Sequence, residues 1–173
     1  MKAIEKKNNI VLIGMPASGK STIGMKLAEA LGYDFIDTDV LIQDREKARL
    51  EELIEDKGIE GFLDMESEAC ISLKASRTVI ATGGSVIYRE EAMRHLKEIG
   101  TVVYLKLSLE DLRSRLRDMK QRGVVVREGQ TLADLYLERT RLYEQHAEIT
   151  VEESESGPEE TVKAVLRAIG KKL

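Results

Sequence analysis

The run Gly14-Met15-Pro16-Ala17-Ser18-Gly19-Lys20-Ser21-Thr22 follows the apolar stretch Ile10–Ile13 directly and matches G-x-x-x-x-G-K-[ST] in full. The pattern has physical meaning only between a strand and a helix, and both flanks are present: a short β-branched run before it and helical periodicity over Lys20–Leu31 after it. Glycines at these positions let the backbone curl until successive N–H groups point inward as an anion nest. A helix starting near Lys20 adds its positive end. Gly14, Ala17, Ser18, Gly19, Lys20, Ser21 and Thr22 are therefore the candidate nucleotide-binding residues. Lys20 is expected to reach the β- and γ-phosphates, and the Ser21 hydroxyl to take one position on Mg²⁺, an ion that keeps several waters and borrows phosphate oxygens. Nucleoside triphosphate binding follows; the destination of the phosphoryl group does not.

Short apolar runs recur along the chain at Ile10–Ile13, Phe35–Ile36, Val79–Ala81, Val102–Leu107 and Ile149–Val151. Their brevity and continuity suit strands buried on both faces of a parallel sheet. Helical patterns separate them over Lys20–Leu31, a segment from Val40 through Ser76, Glu90–Glu98, Leu109–Met119, Leu132–His146 and Glu159–Ile169. Strands alternating with helices predict an α/β fold with right-handed crossovers, and five strands are counted. In such sheets ligands bind beyond the carboxyl ends of the strands, so the residues just after each run matter most. The charged stretch Glu152–Glu160 is read as a solvated connector before the last helix.

A chain of 173 residues fits one domain over 1–173, with no repeat or Pro-rich linker to divide it. With 31 acidic and 27 basic residues the net charge is −4, and no basic run exists, which argues against sequence-independent nucleic-acid binding. A single cysteine, Cys70, excludes an internal disulfide and suits a reducing compartment, where it reads as a small buried apolar residue. The N-terminal apolar run is too short for a signal peptide or a membrane span, so the chain is expected in the cytoplasm and off the membrane. His95 and His146 lack the paired spacing of a metal site and read as ordinary residues. Aromatics are two Phe and five Tyr with no stripe among them, so a monomer is expected.

Two further clusters follow predicted strands. Asp37-Thr38-Asp39 places two carboxylates two residues apart, on one face of an extended segment. One of them can hold Mg²⁺ and the other can accept a hydroxyl proton, while a helix N-cap at either position is the competing reading. Ala81-Thr82-Gly83-Gly84-Ser85 contains a glycine pair that permits close backbone approach to a ligand, or a plain turn.

Taken together these motifs resemble the shikimate kinases, small P-loop kinases that phosphorylate a hydroxyl of a cyclic hydroxy acid. The family pattern runs from a P-loop ending G-K-[ST]-T through D-[ST]-D, G-F-R-x-x-E, A-T-G-G-G and a lid containing R-P-L to R-x-P-L-Y. Here the corresponding residues are Gly14 to Thr22, Asp37-Thr38-Asp39, Gly61-Phe62-Leu63-Asp64-Met65-Glu66, Ala81 to Ser85, Arg122-Gly123-Val124 and Arg139-Thr140-Arg141-Leu142-Tyr143. The resemblance covers about residues 8 to 150 in order. It implies a three-layer α/β/α sandwich with a five-stranded parallel sheet ordered 2-3-1-4-5, a helical acceptor-binding segment at about 40–76 and a lid at about 120–131. It implies ATP and Mg²⁺ as the reagents and a small-molecule acceptor as the partner. By the same resemblance Asp37 helps hold Mg²⁺ with Ser21, and Asp39 binds the acceptor hydroxyl as its base. Gly83 and Gly84 line the acceptor pocket, Arg139 clamps the acceptor carboxylate, Arg122 reaches the transferring phosphate, and Arg115 falls near the arginine that stacks on adenine.

The departures lie on the acceptor and lid side. The arginine of G-F-R, which shares the grip on the shikimate carboxylate, is Leu63; the third glycine is Ser85, the lid proline is Gly123, and the proline before Leu-Tyr is Arg141. A charged hydrogen bond is worth roughly 1.5–3 kcal/mol, so losing one weakens acceptor binding about ten- to a hundredfold unless another group replaces it. Arg141 lies two residues from Arg139 and so points elsewhere on a helix. The resemblance implies phosphorylation of shikimate. The alternative is another small hydroxylated acceptor such as homoserine, whose ammonium Asp64 or Glu66 would receive. A nucleotide-binding module without transfer activity is the alternative of a different class.

Overall fold

The structure is a computed structural model that describes residues 7–116 and 124–170. Its elements alternate along the chain: β1 (Asn9–Ile13), α1 (Lys20–Leu31), β2 (Asp34–Asp37), α2 (Thr38–Glu46), α3 (Leu50–Ile71), β3 (Thr78–Ala81), a 3₁₀ turn (Val86–Tyr88), α4 (Glu90–Ile99), β4 (Gly100–Lys106), α5 (Leu109–Arg115), α6 (Leu132–His146), β5 (Ile149–Glu152) and α7 (Pro158–Gly170). The strands form one sheet in the order β2-β3-β1-β4-β5, with every pairing parallel. Fold class and strand order are those implied by the resemblance.

Period-two alternation divides the core. Ile10 and Leu12 of β1 face the side covered by α1 and α7, where they meet Ile23, Leu27, Val162 and Val165. Val11 and Ile13 face the opposite side with Tyr104, Met93, Leu96 and Tyr143, covered by α3, α4 and α6. A third, smaller cluster of Ile42, Leu50, Leu53, Phe62 and Ala69 holds α2 to α3 and takes in Val125 from the loop before α6. It builds a separate wall beyond the carboxyl edge of the sheet.

Local structure differs from expectation in three places. The segment over 40–76 is two helices, and α3 is kinked at Gly58, whose φ of 71° and ψ of 174° no other residue adopts at low cost. Leu116 has left helical geometry, so α5 ends at Arg115 rather than running on; residues 117–119 of the expected helix lie outside the described residues. In the acidic connector, Glu153 is not solvated: its side chain is 8% exposed and paired with Arg115 at 3.3 Å. Cys70 is fully buried, and its thiol is pushed up by that burial. Among the described residues no helix is long and apolar enough to cross a membrane.

Candidate active site

Parallel pairing brings the carboxyl ends of the strands to one edge. Asp37 pairs with Ala81, Ala81 with Leu12, and Ile13 with Tyr104, so the loops after β2, β3, β1 and β4 emerge side by side. They surround a cleft of about 330 Å³.

One wall is the phosphate loop. Ala17 and Gly19 adopt left-handed φ values of 64° and 78°, and a Cβ on Gly14 would stand 2.7 Å from the Leu105 carbonyl of the adjacent strand. Lys20 is buried, and its Nζ donates to the carbonyls of Gly14 at 2.8 Å and Met15 at 2.7 Å and to Ser18 Oγ at 3.3 Å. Burial lowers its ammonium to about 8 against the pull of Asp39. Ser21 and Thr22 complete this wall. Arg115 lies on the loop's outer edge, where it donates to the Ala17 carbonyl at 3.1 Å.

Asp37 satisfies both sequence readings at once. Its Oδ1 accepts from the Asp39 and Val40 amides, capping α2, while its Oδ2 accepts from Ser21 Oγ at 2.5 Å. Two hard oxygens thus meet at the foot of α1, a donor set that suits Mg²⁺, which takes one or two protein oxygens and completes its shell with water and phosphate. Asp39 faces the cleft; burial and the nearby Asp37 raise its carboxyl to about 6, offset in part by Lys20. It is still ionised at neutral pH.

The opposite wall comes from β3, α3 and α6. Arg139 is 1% exposed and lines the cleft, its Nη2 donating to the Val125 carbonyl at 2.7 Å and its guanidinium lying over the Tyr88 ring. Tyr143 OH donates to the Gly84 carbonyl, bracing the glycine turn. Gly84 lines the cleft, whereas the Gly83 amide donates to Thr38 Oγ1 at 3.2 Å. What Gly83 offers is the missing side chain: a Cβ there would collide with Glu66 Oε2 and stand 2.8 Å from Asp39 Oδ1. Val124 and Val125, from the segment read as a lid, roof the cleft beside Phe62 and Leu50. Arg122 lies outside the described residues, as does Gly123.

Comparison with known proteins bears on what this cleft belongs to. The family model for shikimate kinase matches residues 16–170. Shikimate kinase 2 of Serratia proteamaculans is 36% identical over 167 residues, covering 92% of this chain and 94% of the relative, and a Clostridium botulinum shikimate kinase is 40% identical over 140 residues, covering 79% and 82%. The chain belongs to the shikimate kinase family. Among solved structures, a shikimate kinase from Acinetobacter baumannii in complex with shikimate superimposes with a TM-score of 0.86 at 34% identity, over 99% of this chain and 97% of that one.

Against the family pattern, the departures now have positions. Leu63 is 1% exposed and presents no charge. Arg141 is on the exposed side of α6 while Arg139 is buried, so it is no substitute. Asp64 is turned outward and paired with Arg89 at 2.8 Å, which removes it as a receiver for an acceptor ammonium. Glu66 is inside: it is 1% exposed, lines the cleft, and accepts from Ser85 Oγ at 2.8 Å. Sequence reasoning left the Glu66–Ser85 contact and the Arg115–Glu153 pair unseen, because each joins positions 19 and 38 residues apart that no periodicity relates.

Proposed function

We propose that this chain transfers the γ-phosphoryl group of ATP to a hydroxyl of shikimate. The observation that carries the reading is one cleft lined together by Lys20 and the phosphate loop, by Asp39 and by Arg139, in a chain whose solved relative is described as a complex with shikimate. The loop's N–H groups and Lys20 neutralise the phosphates, and Arg115 serves the nucleotide from the outer edge of the loop. Arg139 fixes the acceptor carboxylate, which leaves the acceptor hydroxyl near Asp39. The hydroxyl oxygen attacks the γ-phosphorus, the bond from phosphorus to the β–γ bridging oxygen breaks, ADP departs, and Asp39 takes the hydroxyl proton. Ser21 and Asp37 would hold Mg²⁺, which would supply neutralisation of the phosphate charge. Arg122 is assigned to the transferring phosphate, and Val124 and Val125 exclude water, which suppresses hydrolysis. A monomeric, cytoplasmic enzyme is the accompanying expectation.

The test is coupled ADP release with Mg-ATP, comparing shikimate with a panel of small hydroxy acids and hydroxy amino acids that includes homoserine. Turnover with shikimate supports the reading; turnover confined to another acceptor replaces the substrate, and release with none replaces the class.

A further inference from the structure

The sheet order divides the carboxyl edge into two halves on either side of the phosphate loop. Toward one side lie Asp39, after β2, and the glycine turn after β3; toward the other lie Arg115, which closes α5 after β4, and Glu153, just past β5. A triphosphate seated on the loop with its terminal phosphate toward Asp39 therefore sends its nucleoside toward Arg115 and Glu153.

Glu153 is an unexpected residue in that half. Its side chain is 8% exposed, and a Cβ built on Gly19 would stand 3.3 Å from its Oε1, so a carboxylate lies directly against a loop that holds anions. Taken alone, that charge opposes phosphate binding. Its partner changes the outcome. Arg115 Nη1 donates to the two carboxylate oxygens, at 3.4 and 3.3 Å, and to the Ala17 carbonyl at 3.1 Å. Among the described residues these are the only side-chain hydrogen bonds of Arg115, and all three leave from one nitrogen. Nε, Nη2 and the flat faces of the guanidinium bond to no described residue, on a side chain that is 42% exposed.

The two members of the pair differ in how firmly the backbone holds them. The Glu153 N–H donates to the Lys106 carbonyl at 2.9 Å and so carries the β4–β5 ladder one step past the strand. Arg115 is the last residue of α5, and Leu116 after it has left helical geometry. A long side chain at such an end has many rotamers, and the acid selects one of them.

We propose that Glu153 is a positioning residue for the nucleotide. It holds Arg115 by one corner against Ala17 and leaves the guanidinium face to meet the nucleoside of a triphosphate bound on the loop. The same contact neutralises the Glu153 charge, so the loop keeps its affinity for phosphate. This rests on the ATP reading above and deepens it: Glu153 sets affinity for the nucleoside, acting through Arg115, and not affinity for the phosphates.

The experiment compares a nucleotide with its phosphate chain alone. Binding of Mg-ATP and of magnesium tripolyphosphate is measured by calorimetric titration for wild type, Glu153→Ala, Glu153→Gln, Arg115→Ala and the double variant Glu153→Ala/Arg115→Ala. No acceptor is present, so its identity does not enter. Glu153→Ala is expected to weaken ATP about three- to tenfold, the effect of releasing one rotamer-rich side chain, while tripolyphosphate binds no more weakly than to wild type. Glu153→Gln, which keeps an oxygen for Arg115, loses less. The double variant matches Arg115→Ala within about twofold, because the acid has nothing left to hold. Unchanged or tighter ATP binding in Glu153→Ala overturns the proposal, as does an equal loss for tripolyphosphate, which would make the acid a support of the loop. Additive losses in the double variant overturn it too, since Glu153 would then act without Arg115. Should Glu153→Ala fail to fold, Glu153→Gln, of the same shape, is read against the same outcomes. A wild type that binds neither ligand counts against the nucleotide reading itself.

Discussion

Asp37 and Asp39 sit two residues apart yet occupy different chemical roles because the helix start separates them. Asp37 is committed to the Ser21 hydroxyl and to the first amides of α2, whereas Asp39, inside the first turn, keeps its carboxylate for the cleft. Asp39→Asn keeps the shape and removes the base, so kcat is expected to fall ~10²–10⁴-fold with little change in ATP KM, measured by steady-state ADP release. Glu66 leads to a prediction on stability. Its carboxyl titrates near 4.5 in an unfolded chain and near 8 in the fold, so between those values the native state holds a proton that the unfolded state does not. Stability therefore falls as pH rises through that window, by a few kcal/mol at most. Thermal melts of Glu66→Gln between pH 6 and 9 should show a flatter pH dependence than wild type; parallel curves would mean the carboxyl is ionised in the native state.

At the scale of elements, α2 and α3 form a two-helix unit beside the cleft, with its own cluster around Ile42, Leu53 and Phe62, and with a kink where α3 passes Gly58. Among the described residues nothing beyond its chain neighbours and the adjoining helix backbone stands within 4 Å of a Cβ built on Gly58, so Gly58→Ala tests backbone strain with little steric clash. It should cost roughly 1–3 kcal/mol and lower the melting temperature by about 2–10 °C. An unchanged melt would mean that the kink relaxes into continuous helix. The roof depends on Arg139, whose Nη2 is bonded to the Val125 carbonyl. Arg139→Met should raise acceptor KM about ten- to a hundredfold and speed proteolytic cleavage within 124–131, read by limited digestion below the melting temperature. Faster cleavage without a KM change would assign Arg139 to the roof alone.

Across the whole molecule, the sheet and its two main core layers form the base, and the cleft lies beyond the carboxyl ends of its strands. In the proposed reading the nucleotide is held mainly by the phosphate loop and α1, and the acceptor by α3 and α6. Mg-ATP at about a hundred times its dissociation constant should raise stability by about 2.7 kcal/mol, and saturating shikimate should raise it further in scanning calorimetry. A shikimate effect only in the presence of nucleotide would show that the acceptor wall is assembled by closure.

The strand pattern, the alternating order and the phosphate loop were legible from the chain, because buried parallel strands are continuous apolar runs and the loop's backbone geometry demands glycine at set positions. Gly14, Gly19, Lys20 and Ser21 are near neighbours in sequence, so local spacing determines their arrangement. The acceptor side is different in kind. Leu63 is visible as an apolar residue in a charged motif, but only the packing of α3 against the β3 turn shows that Glu66, one turn on, is buried in the cleft and held by Ser85. Glu153 read as part of a solvated acidic stretch until the β5 carboxyl end placed it against Arg115. Hydrogen bonds between distant segments depend on which loops emerge together at the sheet edge, and burial, which decides whether an acid keeps its proton, belongs to the assembled fold and to no stretch of sequence.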